Sequence, residues 1–288
     1  MLWYKYFLFF ALWITFSFIS KAQITHPKQS PGAVVQQEAG LTKITVDYSR
    51  PSVRGREVFG NLVPYGRIWR VGANESTKFT VTEDVIIMGN TLKAGTYALY
   101  AFPYEKEWEV VFHSNTTHWG DGRAKYNPDE DVFRIKVQPV KIKDFQETFA
   151  ISFDKITHNG LLMYWDWAFT RIIIPVKLNT QAQMQKQLKE QINSNPTAIS
   201  YYQAARFYQE QTINLKQALQ WLDKAEKLEG PKYYISRVRS LIYAENGNYK
   251  KAVEAAKISL EIAESLGKDE FVRMNQHNIK KWSVKLIK

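Results

Sequence analysis

The spacing of apolar residues changes period near residue 179, and this switch constrains the fold more than any other feature of the chain. Before it the period is two. Ile44, Val46 and Tyr48 alternate with Lys43, Thr45 and Asp47, and Phe79 and Val81 alternate with Thr80 and Thr82. Such alternation turns one face of a strand to a core and the other to water. Residues 85–88 form a further strand candidate that ends at Gly89-Asn90. Residues 96–102 and 108–113 are β-rich runs joined by Pro103-Tyr104-Glu105-Lys106, a hairpin by composition. Residues 132–137, 148–153, 161–167 and 170–178 bring the expected set to about nine short strands. No amphipathic helix separates them, so a parallel α/β sheet is excluded. The expected domain is an antiparallel β-sandwich or barrel-like fold over 23–178. Pro175 in the last strand indicates an edge position or a bulge.

After Asn179 the residues Gln, Lys, Ala, Leu and Glu dominate. Residues 179–195 read as a linker helix that ends near Asn195-Pro196. Ala218 to Ala225 is then echoed by Ala252 to Ser259, 34 residues later, which is the tetratricopeptide period. Asn246-Gly247-Asn248-Tyr249 supplies the turn, and Tyr201, Ala204, Ala205 and Tyr208 fill the first helix of the first unit. Ser236 and Arg239 fit the second unit poorly, and residues 269–287 serve as a terminal capping helix. Residues 196–288 are therefore expected to be tetratricopeptide-like helical repeats, making the whole chain α+β. Stacked helices present a surface to a protein partner rather than a reaction site.

Residues 1–22 carry the pattern of a cleaved export signal. Lys5 gives a positive start, residues 6–19 are uncharged and apolar, and Ser20-Lys21-Ala22 places small residues at −3 and −1 before Gln23. The apolar run falls short of the roughly 20 residues that span a bilayer, and no later segment approaches that length. The expected product is exported, periplasmic or extracellular, without a transmembrane segment. The chain has no cysteine, which excludes disulfides, thiol catalysis, cysteine-ligated zinc and a lipid anchor on cysteine. Its net charge is +11, and residues 179–288 hold 18 Lys/Arg against 11 Asp/Glu. In an exported chain this basic surplus favours an acidic partner or a solvated face over nucleic acid.

Two stretches break the strand rhythm, and long loops on a rigid sheet are where function usually resides. The first, residues 50–73, brings Arg50, Arg54, Arg56, Arg67 and Arg70 together with aromatic residues and glycines. A guanidinium group offers a planar fork to carboxylate or phosphate and stacks on aromatic faces. This points to a site for a small polar, anionic or glycan-like ligand, formed by Arg50, Arg54 and Arg70, with Tyr65 or Trp69 as platform and Asn74 and Glu75 as hydrogen-bonding groups. The opposing possibility is that these arginines pair with carboxylates and pin the loop to the sheet. The second stretch, residues 114–131, contains His118, Trp119, Asp121, Arg123 and Tyr126 and follows His113. Trp119 joins the candidate ligand-binding residues. His113, His118 and Asp121 are able to converge on zinc, but loop histidines more often serve as hydrogen-bonding groups, and no metal is assigned.

The chain lacks G-x-S-x-G, H-E-x-x-H, Walker A and G-x-G-x-x-G signatures, so no cofactor is expected. The candidates for catalysis reduce to Glu75 and His113 as an acid–base pair, should their loops meet.

The pieces Arg50-Pro51-Ser52, Gly55-Arg56, Leu62-Val63-Pro64-Tyr65-Gly66 and Trp69-Arg70-Val71-Gly72-Ala73-Asn74-Glu75 occur in order, with Ala94-Gly95-Thr96-Tyr97, Glu107-Trp108 and Trp119-Gly120 after them. Together with the close over 165–176 they resemble the bacterial domain-of-unknown-function 2911 family across residues 25–178. That resemblance implies an exported protein, in some cases with tetratricopeptide repeats after the domain. It implies architecture and compartment, and it brings no catalytic residues. The leading expectation is a non-enzymatic envelope protein that binds a ligand through the 50–75 loop and a partner through its helices. The alternatives are a hydrolase-like enzyme on a cell-envelope substrate and a structural assembly module.

Overall fold

A computed structural model describes residues 26–120 and 125–287; the expected export signal over 1–22, Asp121 and Arg123 lie outside the described residues. The chain divides into two compact units, residues 1–180 and 181–288.

The first unit is a two-sheet antiparallel sandwich. One sheet has six strands in the order β1-β2-β3-β6-β7-β8. These are β1 (Gly32–Ala39), β2 (Thr42–Ser49), β3 (Thr77–Val81), β6 (Gly95–Phe102), β7 (Trp108–His113) and β8 (Asp131–Val137). The other sheet runs β5-β4-β10-β9, from β4 (Val85–Ile87), β5 (Asn90–Leu92), β9 (Val140–Thr157) and β10 (Gly160–Leu178). Ile44, Val46, Phe79, Leu99, Val110 and Phe112 from one sheet share a buried core with Met163, Trp165, Ile174 and Val176 from the other. The sheets remain separate, so the barrel alternative does not apply.

Three departures from the sequence pattern have physical causes. Strand β1 carries no readable alternation because, at the sheet edge, its inward residues Ala33, Val35 and Gln37 are only half-buried, and one of them is polar. The expected strands over 161–167 and 170–178 are one strand. Its inward residues are Leu161, Met163, Trp165 and Trp167, then Ile172, Ile174, Val176 and Leu178, so the parity reverses. The reversal falls at Ala168, which has φ 52° and lies between two register shifts against β9. A bulge there inserts the extra residue that keeps both halves facing the core. Pro175 sits within an interior strand, yet β9 pairing ends at Arg171 and β4 pairing begins at Val176. Its missing N–H therefore interrupts neither ladder.

The second unit is helical, with α1 (Thr180–Ser194) leading into it, followed by α2 (Ala198–Glu210), α3 (Leu215–Glu229), α4 (Tyr233–Glu245), α5 (Tyr249–Ser265) and α6 (Asp269–Ser283). Helix α2 packs on α3, and α5 packs on both α4 and α6. Asn214 and Asn248, 34 residues apart, cap α3 and α5 in the same way, each side chain accepting the backbone N–H three residues on. Ala218 and Ala252 are fully buried, as are Ala225 and Ser259 seven residues later. Among the described residues no helix is long and apolar enough to cross a membrane.

Arg239 follows the buried Ala205 by the same 34 residues. Its side chain is only 16% exposed and reaches back to α3, pairing with Asp223 and, at 2.6 Å, with Glu226. Arg239→Ala is expected to destabilise the helical unit by about 1–2 kcal/mol, a range set by the partly exposed partners. In denaturant titrations the difference should shrink in 1 M salt, where the Debye length falls to about 3 Å. A loss independent of salt would assign the effect to the aliphatic stem instead.

Candidate functional site

The 50–73 loop is anchored to both sheets. At one end Ser52 bridges to Thr148, and Phe149 N–H donates to Pro51 O at 2.9 Å. At the other end Trp69 exchanges both backbone hydrogen bonds with Ala101, at 2.7 and 2.8 Å. The segment thus spans from β9 to β6 across one end of the sandwich. Just past the second anchor Val71 takes φ 55° while fully buried. A β-branched residue in the left-handed region costs of order 1–3 kcal/mol and persists only where its surroundings hold it. Here Thr77 Oγ1 donates to Val71 O and Thr77 N–H to Arg70 O. Gly72 follows at φ 150°, where an added Cβ would lie 2.8 Å from Ser49 O; only glycine lets the loop turn back this close to β2.

The loop encloses an open cavity of about 440 Å³, within the usual range for small-molecule sites. Arg54, Arg56, Arg67 and Arg70 line it, with Trp69 and Trp167 on its apolar side and no carboxylate among the lining residues. Among the described residues the guanidinium groups of Arg54, Arg56 and Arg67 make no ion pair. Arg54 donates to Gln29, and Arg56 donates from Nε to Val53 O at 2.9 Å and from its terminal nitrogen to Ser52 O at 2.7 Å. The acidic neighbour Glu147 accepts from the Arg54 backbone N–H, not from its side chain.

Of the remaining candidates, all but Trp69 lie outside this lining. Arg50 donates from Nε to Phe149 O at 2.9 Å and pins the loop. Tyr65 is exposed and packs beside Gly60. Asn74 ties Ser30 O to Ser49 Oγ, 3.0 Å from each. Glu75 forms a backbone bridge with Trp119, whose ring is 71% exposed. Trp69 is 7% exposed; it is a core residue with one edge on the cavity rather than an open platform.

The second loop covers the outward face of the six-stranded sheet. On β7, Trp108, Val110 and Phe112 point to the core, so Val111 and His113 point away. Gly120 N–H donates to Asn74 O at 3.0 Å, stitching this loop to the first. Beneath it His113 is fully buried, with Nδ1 2.9 Å from Asp131 Oδ1 and Nε2 3.4 Å from Glu130 Oε2. His118 Nδ1 lies 3.1 Å from Tyr100 Oη. Burial, then the neighbouring His113, hold His118 below the usual histidine pKa, with Lys125 and Lys78 acting in the same sense against Glu130. Asp131 also accepts from the Tyr126 hydroxyl at 2.7 Å and from Arg134. The phenol of Tyr126 is held far above its ordinary value by burial and by Asp131.

His113 therefore engages Asp131 and Glu130, while Glu75 is exposed and bridges to Trp119 through its backbone. Asp131, Glu130 and Tyr100 were not legible as site residues, because each takes its place through strand register and loop closure instead of a local motif.

No curated protein and no solved structure matches the chain. Residues 30–176 match the family model described as a protein of unknown function, DUF2911. The match covers just over half of the 288 residues and takes in nearly the whole sandwich and both loops; the chain belongs to that family.

Proposed function

We propose that the chain is an exported binding protein whose sandwich takes a small anionic ligand, one bearing a carboxylate, phosphate or sulfate group, in the arginine-lined cavity. One observation carries this: Arg54, Arg56 and Arg67 face a cavity of about 440 Å³ without a carboxylate among its lining. Arginine clusters of this kind suit bidentate anions. The glycan-like reading is retained for acidic sugars, since Trp69 and Trp167 supply an apolar wall beside the charges. The 34-residue repetition of caps and small buried residues supports tetratricopeptide-like repeats over 196–288 as a protein-interaction surface. Export rests on the sequence of residues 1–22.

Titration of the full chain with a panel of phosphate, sulfate, citrate and uronate ligands tests the cavity. Arg67, whose side chain has no protein partner among the described residues, is the cleanest probe. Arg67→Ala and Arg56→Ala are each expected to weaken the tightest anion by about tenfold to a hundredfold, the range of a hydrogen bond to a charged group. The melting temperature of Arg67→Ala should stay within a degree or two of wild type. Equal affinity in wild type and both variants would sink the assignment.

A further inference from the structure

We infer that His113, His118 and Glu130 form a binding site for a divalent transition-metal ion, with Zn²⁺ the ion that suits its donors. One donor atom from each of the three lies within 4.8 Å of the other two. Zinc bonds imidazole nitrogen and carboxylate oxygen at about 2.0–2.2 Å, which places tetrahedral donors about 3.4 Å apart. Glu130 is the most exposed of the three, its side chain 35% exposed, and a rotation of that side chain would close the remaining gap.

The strongest sign is at His113. Its Nδ1 meets the Asp131 carboxylate at 2.9 Å, which acts only as an acceptor and so fixes the proton on Nδ1. Nε2 then presents a lone pair. That atom is fully buried and lacks a hydrogen-bond partner, yet it lies 3.4 Å from Glu130 Oε2, itself an acceptor. Two acceptors facing each other in a buried site repel unless a proton or a cation stands between them. The second histidine at the same point favours a metal, because it adds a third donor to the pair.

The surroundings have the form of a metal site's outer layer. Ligating histidines usually hold their second nitrogen against a carboxylate or another polar group, which orients the ring. Asp131 does this for His113, and Tyr100 Oη does it for His118 at 3.1 Å. Asn115 Nδ2 donates to both oxygens of Glu130, at 3.2 and 3.3 Å. Asp131 is in turn fixed by Tyr126 and Arg134. Two imidazoles and one carboxylate leave a fourth position for water or a bound group, as in catalytic rather than structural zinc sites.

The test uses the full chain, free of affinity tag and treated with chelator. Zn²⁺ is titrated by calorimetry and Co²⁺ by its visible absorption. The expected result is one ion per chain with Kd of about 10 µM or tighter, and the d–d bands of a nitrogen–oxygen site with Co²⁺. His118→Ala and Glu130→Gln are each expected to weaken binding by tenfold or more, and Asp131→Asn by tenfold to a hundredfold. Circular dichroism of the metal-free variants establishes that they are folded; should His118→Ala not fold, the near-isosteric Glu130→Gln decides. Weaker or absent binding in wild type would overturn the site. So would wild-type affinity in the folded variants, which would place the ion elsewhere.

Discussion

Trp69→Ala is expected to lower the stability of the sandwich by about 3–5 kcal/mol, the range for truncating a buried tryptophan. Few domains hold more than about 5–15 kcal/mol in total, so much of the population should unfold in mild denaturant. The size of the effect follows from the number of rings that meet this one. Trp69 lies nearly parallel to Trp167, with centroids 5.9 Å apart and an interplanar angle of 18°. It meets Phe149, Phe59 and Trp108 near edge-on, at 5.3, 5.9 and 6.0 Å. Its Nε1 also donates to Gly72 O at 3.1 Å, which holds the turn after Val71. Trp69→Phe keeps a ring in place but loses that hydrogen bond, and should cost distinctly less than the alanine variant. Urea titration followed by circular dichroism distinguishes the two. A loss under about 1 kcal/mol for Trp69→Ala would mean that the cluster repacks, contrary to the behaviour of close-packed interiors.

Asp131→Ala should come next in magnitude. The carboxylate is 9% exposed and is shared by His113, Tyr126 and Arg134. Removing one member of a buried charge network costs about 3–5 kcal/mol. The lower end applies here, because Arg134 is partly hydrated and retains Glu109 at 3.2 Å. Asp131→Asn preserves one acceptor and should recover part of the loss. If both variants melted like wild type, the network under the second loop would be an ornament of the surface, and the burial of His113 would need another cause.

The strands were legible where one face alone is buried. Residues 42–49 and 77–81 alternate because water lies on one side and the core on the other. Strand β10 was legible only as two pieces, since the bulge at Ala168 reverses the parity that the pattern depends on. Within the loops, residue type marked the segments, and the structure divides the residues within them. Arginine content marked 50–70, but sequence cannot separate Arg50, which is consumed in pinning the loop, from Arg67, which lines the cavity. The aromatic candidates divided in the same way. Trp69 and Trp119 look alike as letters, yet backbone pairing with Ala101 carries one into the core and the bridge to Glu75 leaves the other in solvent. His113 and His118 stood out, whereas Glu130 and Asp131 read as part of an acidic turn. Their role depends on β8 pairing with β7, which sets Asp131 opposite His113.

The left-handed backbone at Val71 raises the energy of the folded chain by of order 1–3 kcal/mol. It persists because Thr77 on β3 holds the Val71 carbonyl and the indole of Trp69 holds that of Gly72. The turn is thus the place where any loosening of β3 or of the ring cluster is felt first, since its conformation lasts only as long as its neighbours enforce it.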